Sequence, residues 1–305
     1  MRALITGVCG QDGYYLSEHL LSLGYEVIGT RRGNEESVDV PRGTKLVYGD
    51  INDAACIADL MMDYQPDEVY NLAALTHVGD SFKSVSAVMQ TNAVGAANVI
   101  HAAHQIEAKL YQASTSELFG STPPPQNEAA MMHPRSPYGI AKLAAYWMVR
   151  HYRERGMHAT NGILFNHESL RRGGGFVTQK IARGVASIVA GKARTLVLGN
   201  LDAKRDWGHA KDYCRAMHLL MQHPADDYVI ASGEMHTVRE FCDMAFSHVG
   251  LDYRDYVEVS KEFFRPTEVN ALCGDASKAR NLGWKPEISF KDMVFEMMDH
   301  ALETK

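Results

Sequence analysis

Two side chains in one short stretch of the sequence could together move a proton. Tyr138 and Lys142, in "SPYGIAKLAAYW", are four residues apart, so they would share one face of a helix. A phenol with a pKa of about 10 is a poor base at neutral pH, but an ammonium about 4 Å away would favour the phenolate by up to ~4 kcal/mol. Such a pair can deprotonate an alcohol while a hydride leaves for nicotinamide.

A second stretch, "YQASTSELFG", holds a hydroxyl and a carboxylate two residues apart. The buried strand predicted here carries Thr115 and Glu117, so alternation points both side chains the same way, about 6.6 Å apart. Oxidation of an alcohol needs only a hydroxyl, whereas a carboxylate is needed if a carbon acid must also lose a proton. The alternative for Glu117 is a solvated charge at a strand end.

The elements that must position these residues alternate along the first half of the chain. Short apolar runs such as "ALIT" and "LVYGD" are followed by amphipathic stretches such as "YLSEHLLSLG". This alternation predicts an α/β fold, a Rossmann-type doubly wound parallel sheet with helices on both faces. After Asn166 the pattern loosens, which predicts a smaller C-terminal substrate lobe. We place the Rossmann domain at residues 1–166, completed by part of 208–232, and the lobe at 167–305.

The first predicted βα turn, "ITGVCGQDGYYL", contains Gly7, Gly10 and Gly13. Glycine there allows a tight turn and lets bare backbone and the helix N-terminus approach a pyrophosphate. Three glycines also occur in ordinary turns. Their place between the first strand and a helix favours a dinucleotide site.

The end of the second predicted strand indicates which dinucleotide is bound. In "VIGTRRG", Thr30, Arg31 and Arg32 stand where NAD-specific proteins usually have an Asp or Glu for the ribose 2′-hydroxyl. Arginine suits the extra 2′-phosphate, so we predict NADP, and solvated loop charges are the alternative. Asp50, after the third strand, could reach the adenine edge or cap a helix.

Composition excludes several classes of function. The net charge is −6, and Lys/Arg pairs are local, so the sequence has no basic stripe for nucleic acid. The 5 cysteines are scattered, which argues against a disulfide framework and a metal site. No apolar run approaches the ~18 residues of a membrane span, and the N-terminus enters a strand without a signal peptide. We therefore expect a cytoplasmic protein with reduced thiols.

Stretches along nearly the whole chain resemble the extended short-chain dehydrogenase/reductase family and, within it, the GDP-mannose 4,6-dehydratases. They include "TGVCGQDGYYLSEHLL", "QPDEVYNLAALTHVGDSF", "YQASTSELFG", "PRSPYGIAK", "NGILFNHES" and "GNLDAKRDWGHAKDY". The resemblance implies catalytic roles for Thr115, Glu117, Tyr138 and Lys142. In the implied reaction Tyr138 and NADP oxidise C4 of a GDP-sugar. Glu117 removes the C5 proton and helps expel the C6 hydroxyl as water, and the hydride returns to C6.

The resemblance also implies two sets of binding residues. For NADP they are Gly7, Gly10, Gln11, Asp12, Gly13, Arg31, Arg32, Asp50, Ile51, Leu72, Ala73, Tyr138, Lys142 and His167. For the GDP-sugar they are Ser81, Asn166, Val177, Lys180, Arg205, Arg265 and Glu268. Arg205 and Arg265 suit a pyrophosphate and Glu268 a ribose or base donor, although each could instead form a structural salt bridge.

Departures from the family pattern keep alternatives open. Leu170 stands where proline is usual and Gly174-Gly175 replace a bulkier polar pair, in the loop expected over the sugar. A GDP-linked manno-heptose is thus the second candidate substrate.

The segment between Arg32 and Tyr48 is shorter than in the family, where it reaches a neighbouring subunit. We therefore expect a homodimer, formed through a four-helix bundle, and a tetramer remains possible.

Two other functions compete with dehydration. A nucleotide-sugar epimerase or 4-keto reductase on the same scaffold would not need Glu117. An NADP-sensing binding module without catalysis would be expected to have lost the pair that Tyr138 and Lys142 form.

Overall fold

The computed structural model describes residues 1–33, 39–264, 267, 269 and 271–304. The strands are β1 (Arg2–Thr6), β2 (Glu26–Arg31), β3 (Lys45–Tyr48), β4 (Glu68–Asn71), β5 (Lys109–Ala113), β6 (Ala159–Leu164), β7 (Asn166–Glu168), β8 (Leu196–Leu198), β9 (Lys204–His209), β10 (Asp227–Ile230), β11 (Met235–Thr237) and β12 (Val257–Val259).

The helices alternate with these strands through the first half of the chain. They are α1 (Gln11–Ser22), α2 (Ala54–Tyr64), α3 (Val78–Ser81), α4 (Val85–Met89), α5 (Ala96–Gln105), α6 (Pro137–Glu154), α7 (Val177–Val189), α8 (Ala210–Met221), α9 (Val238–Ser247), α10 (Ser277–Asn281) and α11 (Phe290–Glu303). A π-helical stretch, Gln90–Gly95, joins α4 to α5, and single 3₁₀ turns occur at Ser116–Leu118, Tyr253–Asp255 and Lys261–Phe263.

Within the part of the chain that the structure describes, seven strands form one sheet in the order β10-β6-β5-β4-β1-β2-β3. Every pair in it is parallel. The chain winds from β1 to β3 in one direction and then restarts at β4 on the other side of β1. Dinucleotides bind at such a reversal, outside the carboxyl ends of the strands. The predicted doubly wound fold is thus confirmed, whereas the domain boundary at residue 166 stays a prediction.

Strand β1 lies inside the sheet, between β4 and β2, and its middle residues Ala3, Leu4 and Ile5 are all apolar. Ala3 and Ile5 join Leu16 of α1 in the core on one face of the sheet. Leu4 packs on the other face with Ile57 of α2. Because helices cover both faces of the sheet, consecutive residues of β1 are buried even though they point to opposite faces, as is typical of parallel sheets.

The strand predicted through Thr115 and Glu117 ends earlier than expected. β5 stops at Ala113, and the Ser114 N–H makes the last bond to β6, at 2.8 Å from the Gly162 carbonyl oxygen. The Thr115 hydroxyl then accepts the N–H of Glu117 at 3.2 Å and begins a 3₁₀ turn. A local side chain–backbone bond thus replaces the ladder, and the predicted strand alternation of these two residues is wrong.

The second half of the chain adds a smaller set of elements beside the main sheet. β11, β9 and β7 form a three-stranded sheet, and β12 pairs with β8. Helices α7, α9 and α11 enclose a separate apolar core that includes Ile181, Phe241 and Met297. Among the described residues, no helix has the length and apolar composition to cross a membrane.

Candidate active site

Helix α6 holds the predicted Tyr/Lys pair. Ser136 caps it by accepting the Gly139 N–H at 3.0 Å, and Pro137 occupies its first turn, where a missing N–H costs nothing. Tyr138 and Lys142 are 7% and 3% exposed. The Lys142 ammonium donates to the Ala113 carbonyl oxygen at 3.0 Å. The pair therefore faces the carboxyl end of β5.

The turn that carries Thr115 and Glu117 packs directly on the first turn of α6. A Cβ at Gly139 would lie 2.9 Å from the Glu117 carbonyl oxygen, so only glycine allows this approach. The Thr115 hydroxyl and the charge of Glu117 both act on the pKa of the Tyr138 phenol. The structure thus brings the four predicted catalytic residues together, although by a turn rather than a strand.

The protonation of the pair differs from the expectation. Burial raises the pKa of Tyr138 to about 12, while the Thr115 hydrogen bond lowers this pKa and the Glu117 carboxylate raises it. Burial lowers the pKa of Lys142 to about 8, and the Asp12 carboxylate opposes this shift. The expected fall in the Tyr138 pKa is therefore wrong for the protein alone, because burial outweighs the lowering effects of the Thr115 hydroxyl and of the positive charge of Arg172.

A cavity of about 470 Å³ opens at the carboxyl ends of β1 to β4, and its lining does not include the four predicted catalytic residues. Of the predicted cofactor residues, those that line it are Gly7, Gly10, Arg31, Arg32, Asp50, Ile51 and Ala73. The alternative reading of Asp50 as a helix cap is wrong. Asp53 is the residue that caps α2, since its side chain accepts two N–H groups of the first turn.

The floor of this cavity fits a dinucleotide pyrophosphate. Gly7 has a φ of +72°, and a Cβ there would lie 2.9 Å from the Cα of Ala73. The Thr6 hydroxyl accepts the N–H groups of Leu72 and Ala73, each at 3.1 Å, which joins the ends of β1 and β4. Gly10 is the N-cap of α1 and brings no side chain to its first-turn N–H groups. These groups suit an anion.

The next predicted residues clamp α1 to β7. The Gln11 amide donates to the His167 carbonyl oxygen at 3.1 Å, and His167 Nε2 lies 2.9 Å from the Asp12 carboxylate. His167 Nδ1 lies 2.8 Å from the Phe165 carbonyl oxygen. Both ring nitrogens face acceptors, an arrangement that favours the protonated ring. Burial lowers its pKa, but Asp12 more than offsets this and raises the pKa overall. Gly13 is buried in α1.

Three predicted sugar-binding residues follow one another after β6. Asn166 begins β7, Val177 begins α7 and Lys180 lies one turn later in α7. The Lys180 ammonium stands 3.8 Å from the centre of the Phe263 ring, and burial lowers its pKa. Their contact with a sugar stays a prediction.

The other predicted sugar-binding residues are more dispersed. Ser81 is buried, and its hydroxyl donates to the Val78 carbonyl oxygen at 2.6 Å. Arg205, in β9, is also buried and donates to the Lys204 carbonyl oxygen at 2.9 Å. Arg265 and Glu268 lie outside the described residues. Among those described, no group of three or more His, Cys, Asp or Glu residues could hold a metal ion.

Sequence reasoning missed several residues of the cavity wall, namely Cys9, Asp39, Thr91 and Arg171. The basic pair in "NHESLRRG" was the available signal for Arg171, and it was read only as a local charge. Arg172, beside it, turns elsewhere. Its Nε lies 3.0 Å from the buried Glu168 carboxylate, and its guanidinium lies over the Phe176 ring.

Known proteins resemble this chain over nearly its full length. A family model described as GDP-mannose 4,6 dehydratase matches residues 4–297. GDP-mannose 4,6 dehydratase 1 of Arabidopsis thaliana is 49% identical, over 99% of this chain and 90% of the plant protein. The GDP-mannose 4,6 dehydratase of Homo sapiens is 43% identical, over 99% of this chain and 91% of the human protein.

A solved structure shares the fold. RMD from Pseudomonas aeruginosa, complexed with NADPH, has a TM-score of 0.84 at 23% identity, over 100% of this chain and 99% of that chain. The family match, by contrast, includes the glycine-rich turn, the turn of Thr115 and Glu117 and the helix of Tyr138 and Lys142. The resemblance drawn from these motifs is therefore confirmed, and the chain belongs to the GDP-mannose 4,6-dehydratase family.

Proposed function

We propose that the protein is a hydro-lyase that converts GDP-mannose to GDP-4-keto-6-deoxy-mannose with NADP as a cofactor that ends as it began. One observation carries this proposal: Thr115, Glu117, Tyr138 and Lys142 are all buried where α6 packs on the turn after β5, in a fold whose β1 to β4 ends form a cavity that fits a dinucleotide. Membership of the family supplies the substrate.

In the first step Tyr138 accepts the proton of the sugar C4 hydroxyl, and Thr115 hydrogen-bonds to the same oxygen. NADP, when bound, supplies the acceptor that takes a hydride from C4 and later returns it. With its pKa raised to about 12, Tyr138 needs positive charge nearby to act as a base. Lys142, with a pKa of about 8, is still mostly protonated at pH 7 and provides part of that charge.

The carboxylate acts after the C4 ketone has formed. The ketone acidifies the C5 proton, and Glu117 takes it. The C6–oxygen bond then breaks, and the proton on Glu117 leaves with the C6 hydroxyl as water. Return of the hydride to C6 and transfer to C5 of the proton that Tyr138 took in the first step complete the 6-deoxy sugar and restore Tyr138. A 4-epimerase or 4-keto reductase would need no such base, so the buried position of Glu117 favours dehydration.

The cofactor assignment is supported by the charge of the cavity. Arg31 and Arg32, at the end of β2, line it where an acidic residue would select NAD. A guanidinium can bind a phosphate through two parallel hydrogen bonds, which a ribose hydroxyl cannot match. These two residues therefore favour NADP.

Mass spectrometry after incubation with NADP and a panel of nucleotide-sugars tests the proposal. We expect GDP-mannose to lose one water without net formation of NADPH. If only a GDP-manno-heptose loses water, the substrate is that heptose and not GDP-mannose. An isomerised product would show that the protein is an epimerase, and a reduced product would show that it is a 4-keto reductase. Cofactor binding without turnover of any sugar would indicate the sensing module.

The assembly, the compartment and the domain division are further proposals. A homodimer is supported by apolar side chains on the π-helical stretch and α6, where Val94 is 47%, Ile140 51% and Trp147 55% exposed. Ile140 and Trp147 are seven residues apart and share a face of α6.

We place the protein in the cytoplasm, because its scattered cysteines form no disulfide pattern. We assign residues 1–166, completed by part of 208–232, to the Rossmann domain and residues 167–305 to the substrate lobe, which also contributes Arg171 to the cofactor cavity.

A further inference from the structure

Arg171 lies where three segments of the chain meet at the cofactor cavity. Its own segment follows β7 and is tied to α1, because the Ser169 hydroxyl donates to the Gln11 amide oxygen at 2.8 Å. The same hydroxyl accepts the Arg171 N–H at 3.1 Å. The Arg171 guanidinium lies 3.5 Å from the centre of the Tyr14 ring in α1. The backbone and the side chain of Arg171 are therefore both held in place.

The third segment contributes a carboxylate. Arg171 Nη2 lies 2.8 Å from the Asp39 carboxylate, on the connection between β2 and β3. Both residues line the cavity, together with Arg31 and Arg32. Three arginines thus line the cavity, and two of them, Arg31 and Arg32, lie at the end of β2. In folds of this kind, the part of the cavity at the end of that strand receives the adenosine ribose.

The two members of the ion pair differ in exposure. The Arg171 side chain is 19% exposed, whereas the Asp39 side chain is 75% exposed. A carboxylate that stays this hydrated gains little from one ion pair and can leave its partner easily. Arg171 is the fixed member of the pair, and Asp39 is the member that another anion can displace.

We propose that Arg171 determines specificity for the 2′-phosphate of NADP, and that Asp39 holds its guanidinium until the phosphate displaces it. The inference rests on the proposed use of NADP. A phosphate with a charge near −2 and three acceptor oxygens competes well with a single exposed carboxylate. The Tyr14 ring keeps the guanidinium plane oriented, so little side-chain freedom is lost on binding.

In the same arrangement, Asp39 disfavours the binding of NADP. Its carboxylate must leave Arg171 and remains close enough to repel the phosphate. NAD has a hydroxyl at this position and neither displaces Asp39 nor is repelled by it. Asp39 should therefore reduce the preference for NADP, and Arg171 should increase it.

Calorimetric titration of the purified protein with NADP and with NAD tests the proposal without a measurement of turnover. Arg171→Met keeps apolar contact with Tyr14 and removes the charge. We expect it to weaken NADP by about 10- to 100-fold and NAD by less than about twofold. Asp39→Asn should tighten NADP by about 3- to 10-fold and leave NAD unchanged.

Arg155→Met is the matched control, because Arg155 also lies over a tyrosine, Tyr152, at the far end of α6. It should change neither affinity. Adenosine 2′,5′-bisphosphate and 5′-AMP serve as smaller probes, and Arg171→Met should weaken only the bisphosphate. The exposed Asp39 can be replaced without disturbing the core, so Asp39→Asn tests the proposal even if Arg171→Met does not fold.

If Arg171→Met weakens the binding of NADP and of NAD equally, Arg171 contacts the pyrophosphate that both cofactors share. That result would overturn the proposal. Unchanged affinities in both variants would leave only a surface ion pair, which also overturns it. Failure of the proposed function gives a different result. The wild-type protein would then prefer NAD, or would bind NADP tightly and dehydrate no GDP-sugar.

Discussion

Glu117→Gln separates the two halves of the proposed reaction. The amide matches the carboxylate in shape, and the bond from the residue's own N–H to the Thr115 hydroxyl involves only its backbone. The turn and its packing on α6 should therefore persist. A neutral amide cannot accept the C5 proton, so oxidation at C4 should proceed while elimination stops.

The size of the effect follows from the role of the residue. Loss of a positioned base costs about 10²- to 10⁴-fold in rate, or about 2.7–5.5 kcal/mol of barrier. The oxidation step should respond in the opposite sense. The Glu117 carboxylate raises the pKa of Tyr138, so its removal lowers that pKa. Tyr138 acts as a base when deprotonated, and oxidation by the variant should extend to lower pH than in the wild type.

Single-turnover absorbance of the reduced nicotinamide is the assay. In Glu117→Gln the reduced cofactor should accumulate beside a 4-keto sugar that retains its C6 hydroxyl, and mass spectrometry should find that sugar. Glu128→Gln is the control. Glu128 is partly buried and accepts the Val229 N–H through Oε1, which glutamine can still do. It should turn over at the wild-type rate.

Two results would refute this reasoning. Turnover of Glu117→Gln near the wild-type rate would mean that another group takes the C5 proton. A folded variant that binds NADP but never reduces it would place Glu117 in the oxidation step, and its assignment as the base for elimination would be wrong.

Three further predictions concern the cofactor, the assembly and stability. Arg32→Ala should weaken NADP by about 1.5–3 kcal/mol and leave NAD nearly unchanged in a titration, and equal losses would contradict the assignment. Light scattering should find a dimer that Trp147→Glu dissociates, whereas a stable tetramer in dilute solution would count against this interface. Burial lowers the pKa of Lys142 from 10.5 to about 8, so the buried charge costs stability fully below pH 8 and not at all well above 10.5. Denaturant unfolding should therefore show Lys142→Met gaining stability relative to wild type as the pH falls from 10.5 to 8. A pH-independent difference would rule this out.

Local features of the sequence predicted much of the fold and of the catalytic group. The turn at Gly7 and the helix that places Lys142 one turn after Tyr138 depend on neighbours within about five residues. The backbone geometry of glycine and the 3.6-residue helical period act over that range. The end of β5 was predicted incorrectly, because the hydrogen bond from the Glu117 N–H to the Thr115 hydroxyl competes with the hydrogen bonds of the sheet. Glu117 consequently reached the site through a turn.

Other properties depended on residues far apart in the chain. Arg171 and Asp39 are 132 positions apart and meet only because β7 and the connection after β2 reach the same edge of the sheet. The pKa of Tyr138 likewise depends on how completely the surrounding elements exclude water from the phenol. The spacing of residues in the sequence does not predict this burial. The sequence by itself determined which residues could do the chemistry and which local elements carry them. Only the tertiary structure decided their burial, their charge state and the arginine that joins the cofactor cavity, because desolvation and long-range contacts exist only after the chain has packed.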